Sequence, residues 1–77
     1  MDDINDACMF EITYKAFYVR EPDSIDTEIW LGFSESRVIE VFEAFSKRLV
    51  KSEIYSKPAE IQSVKYVGTA IYGVGEI

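Results

Sequence analysis

At 77 residues the chain has room for one domain with one core, and its 48% hydrophobic content sets it apart from disordered acidic tails despite a net charge of −6. It contains no histidine and a single cysteine, Cys8, which excludes Ser-His-Asp and Cys-His catalysis, the usual zinc sites and any internal disulfide. Residues 1–46 carry eleven acids against three bases and residues 47–77 three acids against five bases, an asymmetry that speaks about partners rather than fold.

Residues 1–7 are polar and acidic and are expected to form a loose arm. Their Met-Asp-Asp-Ile-Asn-Asp start is unlike the basic opening of a signal peptide. Cys8 is expected to be a small buried or half-buried thiol. From 9 to 19 the pattern has period two, with Phe10, Ile12, Tyr14, Ala16 and Tyr18 on one face and Glu11, Thr13 and Lys15 on the other, which predicts a half-buried strand. Phe17 and Val19 break the polar side and point to a second contact or a bulge.

Residues 20–27 are turn chemistry, with Pro22 fixing φ and Asp23, Ser24 and Asp26 able to bond their own backbone. Residues 28–33 alternate again. Ile29, Leu31 and Phe33 are expected to face the core, and Glu28, Trp30 and Gly32 the other side, in a strand that pairs antiparallel with the first.

Ser34 is a candidate N-cap, and Glu35 behind it suits the positive end of a helix dipole. The helix is expected over 35–51: Val38, Val41, Phe42, Phe45 and Leu49 form its apolar stripe, while Arg37, Glu40, Glu43, Lys47 and Lys51 lie on the wet side. Arg37 with Glu40, and Glu43 with Lys47, stand at pairing distance along it. Pro58 closes the connection to a strand at 60–67, and a short fourth strand is possible at 70–74 beyond Gly68. The expected fold is α+β: a β-β-α-β domain with one amphipathic helix packed on one face of a three- to four-stranded, mostly antiparallel sheet.

No enzymatic, cofactor or metal motif appears. Gly68, Gly73 and Gly75 lack the lysine and following helix of a phosphate loop, and Asp23, Asp26 and Glu28 lack the glycine of a calcium loop. Direct nucleic-acid binding is disfavoured by the charge. Lys47, Arg48, Lys51 and Lys57 form the one basic cluster, three of them already accounted for by the helix end. No membrane partner is expected, because the longest uncharged stretch, Tyr66 to Gly75, is too short to span a bilayer.

What remains is a non-enzymatic protein-binding domain, expected in the cytoplasm, or in the host cytoplasm if phage-encoded. The expected partner is another protein with a basic face, and a homodimer is a further possibility. Trp30 with Phe17 supplies an outward aromatic contact; Asp23, Asp26, Glu28, Glu35, Glu40 and Glu43 supply the charge. In size, acidity and lack of catalytic motifs the chain resembles the inhibitors that phages and mobile elements direct at host defence, including anti-CRISPR and DNA-mimicking anti-restriction proteins. That resemblance implies occupation of a basic nucleic-acid groove. The alternatives are an antitoxin or assembly subunit in an obligate complex, and a small-ligand regulatory domain with a pocket between helix and sheet.

Overall fold

A computed structural model describes residues 5–72 of the chain, with side chains from Ala7 to Thr69. In chain order the elements are β1 (Asn5–Tyr18), β2 (Ser24–Gly32), α1 (Glu35–Lys51) and β3 (Tyr55–Tyr72). The strands form one antiparallel sheet in the order β2-β1-β3, and α1 packs on one of its faces, so the fold is the expected α+β arrangement. Among the described residues there is no separate fourth strand. Residues 70–72 continue β3, and Val74 lies outside the described residues.

β1 is central because its period-two pattern offers a core-facing row and both backbone edges for pairing. Phe10, Ile12, Tyr14 and Ala16 are buried beneath the helix with Val38, Phe42 and Tyr55, and Cys8 packs half-buried against them. The strand starts at Asn5, inside the stretch expected to be an arm, and pairs there with Tyr72. β3 begins at Tyr55, five residues ahead of expectation. Pro58 is accommodated within it because β3 is an edge strand, where a missing N–H breaks no ladder bond. The β1–β3 register shifts between Met9 and Phe10, between Thr13 and Tyr14, and around Phe17. These bulges explain the imperfect alternation of residues 60–67.

The helix lies where its pattern predicts. Ser34 is extended (φ −155°), and its Oγ accepts a hydrogen bond from the Arg37 backbone N–H at 3.2 Å. Glu35 stands in the first turn and Arg48 and Lys51 in the last, all three complementing the dipole. The buried stripe is Val38, Phe42 and Ser46. Val41, expected in it, is 47% exposed: the helix is rotated so that Ser46 reaches β3, where its Oγ accepts from the Ala59 N–H at 2.7 Å. The chain leaves α1 through Glu53 in the left-handed region (φ 62°), with the Glu53 and Ile54 N–H groups donating to Val50 and Leu49 carbonyls.

The faces of β2 are the reverse of the sequence expectation. Trp30 is opposite Phe10 and Glu28 opposite Ile12, so both point to the helix side; Leu31, Ile29 and Ile25 are opposite Met9, Glu11 and Lys15 on the other side, which no element among the described residues covers (the uncovered face). Trp30 lies edge-on to Phe42 and Phe45, with centroids 5.3 and 5.6 Å apart, while Ile25, Ile29, Leu31 and Phe33 are all exposed. One residue of register decides which set is covered. Shape bears on the choice: Val38 of α1 lies directly against Gly32, and a Cβ there would collide with Val38 Cγ2. Gly32 must therefore face the helix, and Trp30 and Glu28 follow with period two.

Candidate protein-binding surfaces

Glu28 reaches the helix side without being sealed there, because β2 is an edge strand and the carboxylate stays exposed. Both its oxygens are engaged: Oε2 accepts from the Tyr14 hydroxyl at 2.8 Å and Oε1 from the Trp30 indole N–H at 3.0 Å. Charge-assisted bonds of this kind are stronger than neutral ones. Here they tie the β2 edge to the core strand and fix the indole against α1. Burial, then the hydrogen bond to Glu28, hold the Tyr14 phenol well above the ordinary tyrosine range. Burial likewise raises Tyr55, which meets Tyr18 edge-on at 5.3 Å.

The acids selected from the sequence do not form one surface. Asp26 lies beside Glu28 on the helix side of β2 and accepts from the Ser24 hydroxyl at 3.1 Å; Asp23 is exposed in the turn just before it. Together with Glu21 they give the hairpin end of β2 an acidic run from 21 to 28 with no base inside it. Glu35 stands beyond the opposite end of β2. Glu40 is paired with Arg37 at 2.9 Å on the outer face of α1. Glu43 stands with Lys47, Pro58 and Ala59 around a depression of about 190 Å³ on the β3 flank.

Trp30 and Phe17 are also separated. Trp30 is on the helix side; Phe17 is on the uncovered face, opposite Lys57 of β3, and is only 7% exposed. It is capped by the ammonium groups of Lys57 and Lys15, 4.3 and 5.4 Å from its ring centre. These lysines are cation–π partners of a buried ring, so the single outward aromatic contact expected from the sequence is not formed: Trp30 and Phe17 lie on opposite faces and Phe17 is covered.

The outer face carries β2 residues other than those expected, Ile25, Ile29 and Leu31 in place of Trp30. Thr13 Oγ1 and Thr27 Oγ1 meet at 3.0 Å across β1 and β2, which fixes Thr27 and hence Ile25, Ile29 and Leu31 on that side. The sequence signal was present as Ile25-x-Thr27-x-Ile29-x-Leu31, a β-branched run of period two that continues upstream of residue 28. A third feature is an open depression of about 380 Å³ lined by Tyr18, Arg20, Glu21, Ser52, Glu53 and Ile54, at the end of the sheet beside the helix C-terminus.

Among the described residues no three Asp, Glu or Cys side chains gather as metal ligands, and no helix is long and apolar enough to cross a membrane. No protein-family model, curated protein or solved structure matches the chain.

Proposed function

We propose that the chain is a non-catalytic protein-binding domain that uses the acidic hairpin end of β2 to engage a basic surface on another protein. The observation that supports this reading is the placement of Glu21, Asp23, Asp26 and Glu28 at one end of an edge strand, on a frame stiffened by the Tyr14–Glu28–Trp30 bonds. Acids held on a rigid support steer a basic partner with little ordering cost. A phage-type inhibitor that occupies a nucleic-acid groove is the form of this function that the composition favours, with Asp23 and Asp26 as the charges that meet lysine and arginine. Glu35, Glu40 and Glu43 stand elsewhere, beyond the other end of β2, on the outer face of α1 and on the β3 flank, and would act as separate contacts.

The test is affinity capture from the native source at low and high salt, with the wild-type chain and an Asp23→Asn/Asp26→Asn variant. Capture of one partner that is lost both in high salt and in the variant is the expected result. Capture indifferent to both contradicts the reading. It would favour the assembly-subunit alternative, which has its own supporting observation: both outer strands, β2 and β3, present backbone edges beside exposed apolar side chains.

A further inference from the structure

The uncovered face of the sheet carries a pattern of self-complementarity. Its middle row is Thr27, Thr13 and Ser63, paired across the three strands. On one side of it stands the row Ile29, Glu11 and Lys65, and on the other the row Ile25, Lys15 and Glu60. The flanking rows thus have an isoleucine in the same column and opposite charges in the other two. One row further out, Met9 occupies the β1 column at one end and Phe17 at the other.

We infer that this face is the interface of a two-fold homodimer, in which two sheets stack with their strands antiparallel and the axis runs along the Thr27–Thr13–Ser63 row. Such a rotation keeps each strand over its own copy and exchanges the rows on either side. Glu11 of one copy then lies over Lys15 of the other, Lys65 over Glu60, Ile29 over Ile25 and Met9 over Phe17. Every charge on the two flanking rows meets its opposite, and every apolar residue there meets an apolar one. The other in-plane two-fold, along β1, sets Glu11 over Glu11, Lys15 over Lys15 and Lys65 over Ile29, which is repulsive or unmatched. Isologous contacts require self-complementarity of this kind, and a face meant for an unrelated partner does not.

Two further observations favour a second copy. The face carries Glu11 and Glu60 against Lys15, Lys57 and Lys65, so it is close to neutral although the chain is at −6. Ile25 and Ile29 are 62% and 52% exposed in the single chain, and stacking removes them from water. Stacked sheets sit ~10 Å apart with their strands within about 30° of each other, a tilt that leaves the central rows facing. Three strands about nine residues long cover roughly 30 by 15 Å. That is about 450 Å² per copy, in the range of weak, transient interfaces, so a dissociation constant of about 10–100 μM is expected.

Sedimentation equilibrium of the full chain up to about 1 mM, with charge-reversal variants, tests this proposal. Wild type is expected to dimerise. Glu11→Lys and Lys15→Glu are each expected to weaken the dimer about ten-fold or more, and the double variant Glu11→Lys/Lys15→Glu to recover most of the loss, since the reversed charges again face each other. Circular dichroism checks that each variant folds. Ile29→Lys with Ile25→Glu provides a second cycle on β2 should a β1 variant fail. A wild type that stays monomeric to that concentration overturns the proposal. So does a dimer indifferent to these changes, or one that the double variants do not restore.

Discussion

Trp30 carries much of what holds β2 in place. Its ring fills the space against Phe42 and Phe45 and its N–H is spent on Glu28, so Trp30→Ala is expected to cost about 2–3 kcal/mol in urea unfolding. A loss below about 0.5 kcal/mol would place the indole outside the core. Glu53 is a residue-scale strain: a non-glycine side chain in the left-handed region at the helix exit. Glu53→Gly should therefore raise stability, by about 0.5–1 kcal/mol at most, as measured by the same transition. Tyr14 and Tyr55 are both held protonated in the fold. Their folded ionisation lies above the ordinary value near pH 10, so the stability this confers is complete below about pH 10. Above it the unfolded chain releases the phenol protons first. Stability should then fall by up to ~1.4 kcal/mol per pH unit for each tyrosine, and Tyr14→Phe should make that fall shallower.

At the scale of elements, α1 and the helix-side row of β1 were legible because each combines a regular period with a clear polar face. β2 was not. Its two faces are Ile25, Thr27, Ile29, Leu31 and Ser24, Asp26, Glu28, Trp30, Gly32, and hydrophobicity alone favours burying the first. What overrides it is the meeting of Gly32 with Val38, a contact between elements that no local pattern encodes. That contact gives a prediction: Gly32→Ala pushes α1 off the sheet and should cost about 1–3 kcal/mol, whereas Val41→Glu, on the exposed helix flank, should change stability by less than about 0.5 kcal/mol. The candidate site was legible only in its charges. Residues 21–28 were recognisable as acidic, but their separation from Glu40 and Glu43 depends on which flank of the helix turns to β3, and the face of Phe17 depends on bulges in β1–β3 pairing.

The whole molecule is a slab of 46 × 24 × 22 Å with a Cα radius of gyration of 14.7 Å, against about 11.5 Å for a compact chain of its length. Among the described residues one helix covers one face of the sheet and no element covers the other. Stacking two copies supplies the missing layer and turns a two-layer unit into a helix–sheet–sheet–helix sandwich. It also sets β2 over β2 along one edge of the assembly with their directions reversed, so the acidic hairpin ends of the two copies lie at opposite ends of that edge. A dimer therefore carries two separate copies of the 21–28 run, each open to its own basic partner.

The stacked arrangement is tested most directly by cross-linking at its axis. In a Cys8→Ser background, Thr13→Cys places one thiol per copy beside the proposed two-fold, while Glu40→Cys places it on the far side of the helix layer. With a bismaleimide spacer of about 8 Å, comparable to the ~10 Å between stacked sheets, the Thr13→Cys chain is predicted to form a covalent dimer rapidly and the Glu40→Cys chain to remain monomeric. Equal cross-linking of the two, or none at position 13 at concentrations where the chain is dimeric, would contradict a two-fold through the Thr27–Thr13–Ser63 row.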